Sequence, residues 1–112
     1  MSTTTLDSAC LVFPTTSTAT IMSALDSGWV CLQYRKANGQ VVQRLGTRNP
    51  SILKAYALQT EIDALDQYRR DYGIWGGDSI LYWDYCAGGL RSYSRIDLLA
   101  AGIPESAPEI NH

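Results

Sequence analysis

The sequence predicts one α+β domain, mainly β: a compact antiparallel barrel of four or five strands with an inserted helix and a short N-terminal helix. Three observations predict it. Residues 28–50 and 79–96 each carry hairpin signals, and an amphipathic helical stretch lies between them. No repeat of solenoid length interrupts that order. A chain of 112 residues is one domain by size, and that size buries a core without metal or disulfides. Hydrophobic content of 46% and charged content of 18% are those of an ordinary globular protein.

Residues 1–16 are rich in Ser and Thr and contain Pro14. They are expected to be a flexible segment, with the run Cys10-Leu11-Val12-Phe13 able to add a strand or anchor it. Residues 16–25, TSTATIMSAL, predict a short helix with Ile21, Met22 and Leu25 as its apolar stripe and Gly28 as its stop.

Asn38-Gly39 lies between runs rich in Val, Leu and Tyr. A type I′ turn needs φ > 0 at both central residues, so Asn-Gly between such runs signals a two-residue hairpin loop. That loop sets Arg35 opposite Val42, Gln33 opposite Arg44, Cys31 opposite Gly46 and Trp29 opposite Arg48. Strand side chains alternate between faces. One face then carries Val30, Leu32, Tyr34, Val41 and Leu45 and is expected to enter the core. The other carries Trp29, Cys31, Gln33, Arg35, Val42, Arg44 and Arg48. Residues 28–50 hold four basic residues, Arg35, Lys36, Arg44 and Arg48, and no Asp or Glu, in a chain of net charge −2. Two readings fit this local positive island. One is a solvated sheet face whose cations keep an edge strand from aggregating. The other is a ligand-binding face of Trp29, Gln33, Arg35, Arg44 and Arg48, with arginines for phosphate or carboxylate and an indole for stacking.

Asn49 as N-cap and Pro50 as first helical residue start the next helix. The insertion, residues 50–72, has apolar positions Leu58, Ile62, Leu65 and Tyr68 or Tyr72 at helical spacing and stops at Gly73. Thr60 and Asp63 resemble a capping box, which allows two shorter helices. Residues 79–85 and 90–96 predict a second hairpin around Cys86-Ala87-Gly88-Gly89, with Asp84 facing Arg91 as a structural ion pair, Tyr82 facing Tyr93, and Leu81, Trp83 and Leu90 on the opposite face. Trp75, beside Gly76-Gly77, is a candidate exposed contact residue. Residues 97–99 suggest a short helical turn. The domain is expected over residues 17–100, with a flexible tail over 101–112.

A pI of about 5.1 argues against salt-driven binding to long nucleic acid. Three well-separated cysteines and one terminal histidine make no zinc pattern, and reduced thiols in a cytoplasmic setting are the simplest expectation. No apolar run reaches the roughly 20 residues of a membrane span, and the N-terminus has no signal-peptide pattern. No metal or other cofactor is expected.

The block Tyr34-x-Lys36-x-Asn38-Gly39, then Arg44-x-Gly46-Thr47-Arg48-Asn49-Pro50, then Tyr82-Trp83-Asp84 and Leu90-Arg91-Ser92-Tyr93 resembles a largely uncharacterised family, the SH3 beta-barrel fold-containing proteins of bacteriophages and prophages. Leu90 stands where that family usually has Trp, and Tyr93 where it has Phe. The resemblance covers about half the chain and implies an SH3-like barrel and a phage origin. The last hairpin also faintly resembles the WYL ligand-sensing domain, by fold analogy alone.

No enzyme constellation is present. The terminal His112 gives no Ser-His or Cys-His pair, and no phosphate-binding glycine loop occurs. The expectation is a small non-enzymatic phage-type protein that inhibits or sequesters a host protein or a small anionic signalling ligand such as a nucleotide, in an anti-defence role, in the host cytoplasm and without a membrane partner. A nucleic-acid-binding regulatory module and a structural homo-oligomer burying the Trp29 face are the alternatives.

Overall fold

A computed structural model of the chain describes residues 10–12, 17–73 and 76–104. Trp75 and the segments 1–9, 13–16 and 105–112 lie outside the described residues. The fold is α+β and mainly strand. In order it runs β1 (Cys10–Val12), α1 (Thr18–Ser27), β2 (Val30–Arg35), β3 (Val41–Thr47), α2 (Pro50–Tyr56), α3 (Gln59–Tyr72), β4 (Ser79–Asp84), β5 (Gly89–Ser94), a 3-10 turn (Arg95–Asp97) and β6 (Leu98–Pro104). The six strands form one antiparallel sheet in the order β1-β6-β2-β3-β4-β5. Among the described residues the sheet does not close: β1 and β5 are its edges, and β3 meets β4 only at Gly46↔Asp84 and Thr47↔Trp83.

The apolar stripe of α1 is as expected. Ile21, Met22 and Leu25 are buried against the sheet. A ten-residue helix is shorter than the roughly 12–15 residues that persist alone, so α1 depends on this packing, which contributes about 1.5–3 kcal/mol per buried aliphatic side chain. Ser17 caps it, accepting from Thr20 N at 3.3 Å. At α2, Asn49 Oδ1 accepts from Ile52 N at 3.1 Å and Pro50 opens the helix. The insertion is two helices. Glu61 rather than Asp63 closes the cap between them, taking Leu58 N at 2.9 Å. Gly73 ends α3 at φ 63°.

The first hairpin departs from expectation by one residue. Lys36 N donates to Gln40 O (2.8 Å) and Gly39 N to Lys36 O (2.9 Å), with Gly39 at φ 89°. This is a three-residue loop, Ala37 to Gly39, with glycine in a left-handed position, not a two-residue I′ turn. The pairs are therefore Leu32↔Arg44, Gln33↔Gln43 and Arg35↔Val41. A one-residue slip exchanges the faces of one strand against its partner. Val42, Arg44 and Gly46 share the inner face with Val30, Leu32 and Tyr34. Val41 and Leu45 go to the outer face with Trp29, Cys31, Gln33 and Arg35.

The second hairpin is shifted by two, to Trp83↔Leu90, Tyr82↔Arg91 and Ile80↔Tyr93. A two-residue shift keeps each face, so Leu81, Trp83 and Leu90 lie together as expected. The partner of Asp84 changes. Asp84 lies opposite Gly89, and its ion pair is with Arg44 at 3.7 Å, not with Arg91. Residues 98–104, expected as a turn and the start of the tail, form β6, which sits between β1 and β2.

Two cores result. Inside the curve of the sheet, α1 covers Val30, Leu32, Tyr34, Ile80, Tyr82, Tyr93 and Ala101. Outside, α2 and α3 cover Trp29 and Trp83 with Ile52, Leu53 and Leu65. The reduced-thiol expectation is corrected at Cys31, which is disulfide-bonded, while Cys86 is free and exposed.

The inner core is rich in phenols. Tyr34 and Tyr93 stack with centroids 5.1 Å apart, and Tyr34 and Tyr82 share a hydroxyl hydrogen bond of 2.7 Å. Burial raises the pKa of Tyr82 and of Tyr93 well above the ordinary phenol value. Their neutral forms stay matched to the core below the unfolded phenol pKa of about 10, and stability falls as pH rises above it because the unfolded chain alone releases those protons. Two such groups give an expected slope of roughly 2.7 kcal/mol per pH unit above about pH 10. Denaturant melts across alkaline pH check this, with the absorbance of the last two tyrosinates appearing only together with unfolding. Ionisation of all seven tyrosines in the folded protein would contradict it.

Candidate anion-binding site

The five residues expected to share one face are dispersed. Trp29 is 6% exposed and packs edge-on to Tyr56 (5.7 Å) and Tyr85 (5.4 Å) under α2, so its indole is core and not an open stacking platform. Gln33 is buried on the outer face, its Oε1 without a hydrogen-bond partner among the described residues. Arg48, just past β3, is fully buried under α1 and α3, its guanidinium 5.2 Å from the ring centre of Tyr68. Burial lowers its pKa from the ordinary arginine value, and Asp26 opposes that shift. The one-residue register change is the cause: it moves Arg44 and Arg48 to the inner side, away from Trp29, Gln33 and Arg35.

Arg35 and Arg44 nonetheless meet again. The tip of the first hairpin and the free flank of β5 border a cleft of about 290 Å³. Arg35, Lys36 and Arg44 reach it from the first hairpin, and Arg91 reaches it from β5. The stacked rings of Tyr34 and Tyr93 form part of its wall. Asp97 is the one carboxylate among the residues lining it. Four cations against one carboxylate among the described lining residues, with Arg44 also paired to Asp84 behind the rim, leave this recess positive on a chain of net charge −2.

The cations are held differently. Arg44 is anchored through Asp84, whose carboxylate is fully buried and also accepts from Tyr82 Oη at 3.1 Å and Ala87 N at 3.1 Å. The phenol chain Tyr34–Tyr82–Asp84 therefore fixes one arginine at the rim. Arg91 bonds only the neighbouring Leu90 carbonyl, at 2.7 Å, and Arg35 is exposed with no ion pair among the described residues. These two keep donors available for an anion, since guanidinium groups bind planar or tetrahedral oxyanions through paired N–H donors.

Arg91 was missed as a site residue because it was assigned to Asp84 in a register two residues off. Lys36 continues the face of Val30, Leu32 and Tyr34 at the hairpin tip. The signal that identifies both is the shared inner face: once Tyr82 is paired with Arg91, that arginine must point toward Tyr34 and Arg44. Among the described residues no group of three or more His, Cys, Asp or Glu side chains is arranged to hold a metal ion, and no helix is long and apolar enough to cross a membrane. Comparison with protein-family models, with curated proteins and with solved structures finds no match to this chain.

Proposed function

We propose that this is a small non-enzymatic binding protein that sequesters a compact anionic ligand of the nucleotide class in the cleft between its two hairpins. The observation that carries this reading is the convergence of Arg35, Lys36, Arg44 and Arg91 beside stacked tyrosines. The arginines supply charge-assisted bonds to phosphate, while Tyr34 and Tyr93, stacked on each other and buried, form a rigid floor under them. A cleft of about 290 Å³ is at the small end of ligand pockets, which run about 300–1,000 Å³. That size favours a small ligand over a polymer, as does the acidic pI.

The motif resemblance adds the biological frame. In it the chain is a phage-type protein with a partly open SH3-like barrel that withdraws a host signalling ligand and so blunts defence. Action in the host cytoplasm carries a condition: cytosolic reductants keep thiols reduced, so binding must survive reduction of the Cys31 disulfide.

Native mass spectrometry of the protein purified from bacterial cells, beside an Arg35→Ala/Arg91→Ala variant, tests the reading. A retained nucleotide-sized mass is expected in the parent and not in the variant. In a follow-up titration the variant should bind at least about a hundredfold more weakly, from about 1.5–3 kcal/mol per lost charge-assisted bond. An apo mass together with no response to nucleoside mono- and diphosphates would reject it.

A further inference from the structure

A second site lies on the helical side and shares no residue with the cleft between the hairpins. Arg48 side-chain exposure is 0%, and among the described residues neither its Nε nor its Nη2 has a hydrogen-bond acceptor. Its third nitrogen, Nη1, donates to Met22 Sδ at 2.8 Å. The orphaned pair is the informative one. Nε and Nη2 lie on the same edge of the planar guanidinium, and their N–H bonds run parallel, the geometry that takes two oxygens of one carboxylate or phosphate. A buried donor pair of this kind calls for a partner.

Asp26 does not supply it. Its Oδ1 stands 3.7 Å from Arg48 Nε, beyond hydrogen-bond reach, because the same oxygen is held by Arg69 Nη2 at 3.0 Å. Arg69 is fixed in turn by Asp66 at 3.3 Å through Nη1. Arg48 and Arg69 line a cleft of about 370 Å³ between α1 and the end of α3, with Ser23, Ser27 and Gly73 at its walls and Asp26 as its one carboxylate. The cleft therefore offers two guanidinium groups against one carboxylate, one of them dry and with its paired edge unmet.

We infer that this cleft binds a small free oxyanion, a carboxylate or a phosphate, bidentate on the Nε/Nη2 edge of Arg48 with Arg69 as the second cation. Asp26 competes with that anion and sets its affinity.

The test follows the arginine Nε–H signals in nitrogen–proton correlation spectra of the full chain. Inorganic phosphate and acetate are titrated separately, with chloride at equal ionic strength as the control. The Arg48 signal should move saturably with one or both oxyanions and not with chloride. Asp26→Asn should tighten binding several-fold by removing the competing charge. Arg69→Ala, at a half-exposed position, should weaken it roughly tenfold through one lost charge-assisted bond. Arg35→Ala/Arg91→Ala should leave the Arg48 response unchanged, which separates this site from the cleft between the hairpins. Absence of a saturable, oxyanion-dependent shift of Arg48 in both the parent and Asp26→Asn, with spectra of a folded chain, would overturn the inference.

Discussion

Gly46→Ala is expected to destabilise the fold by about 3 kcal/mol, the upper range for forcing an extra methyl into a packed core. Gly46 faces inward on β3, opposite Val30. A Cβ there would run into the Tyr82 ring, with the Trp83 carbonyl oxygen 3.3 Å away on another side. The ring has nowhere to go. It is fully buried, packs 6.4 Å from Tyr34 and 6.1 Å from Tyr93, and is tied through its hydroxyl to Tyr34 and Asp84. The cost is steric and not conformational, since Gly46 does not have positive φ. For a domain of this size the loss is a fall in Tm of roughly 12–20 °C. Gly28→Ala is the matched control: no atom lies within 4 Å of its Cβ position and its backbone is extended at φ 170°, so a change within about 0.5 kcal/mol is expected. Gly46→Ala placed on a Tyr82→Ala background should cost much less than it does alone, because contacting sites are not additive. A parent-like Tm for Gly46→Ala would mean the two hairpins do not pack this closely.

That close packing was hidden in the sequence, although much around it was legible. The stripe Ile21, Met22, Leu25, the Asn49-Pro50 start and the Gly73 stop are local signals, each read from a few neighbouring residues, and each forms as expected. Register is not local in that sense. Asn38-Gly39 suits a two-residue I′ loop, but Gly39 alone also suits the αL position of a three-residue loop, and the sequence does not choose between them. One residue then decided the faces of β3 and with them the composition of the site. Cys86-Ala87-Gly88-Gly89 erred by two instead, so its faces survived and only the partner of Asp84 was lost. β6 was missed for a different reason. Leu98–Pro104 is rich in Ala and Gly and ends in Pro, residues that are poor strand formers on their own. Its strand state comes from pairing with β2 and β1 on either side, which is tertiary context.

Asp84 is where stability and the cleft between the hairpins are coupled, and its substitution should move the two in opposite directions. Its buried carboxylate takes Tyr82 Oη and Ala87 N and stands 3.7 Å from Arg44 Nε. Asp84→Ala removes all three partners and leaves buried polar groups unmet, an expected loss of about 3 kcal/mol. Asp84→Asn keeps the shape and an acceptor for Ala87 N but removes the charge, so it should recover about half of that loss. In the same variant Arg44 has lost its counter-charge, and the cleft gains one net positive charge beside Arg35, Lys36 and Arg91. Affinity for a phosphate-bearing ligand should then rise by about three- to tenfold at low salt, with the gain shrinking as ionic strength increases because these groups are partly exposed. Denaturant melts and nucleotide titrations of Asp84→Asn, run at two salt concentrations, read both effects. Lower stability with tighter, salt-sensitive binding fits Asp84 as the residue that holds Arg44 at the rim and tempers its charge. Lower stability with weaker binding would assign Asp84 a positioning role in which the angle of Arg44 matters more than its charge.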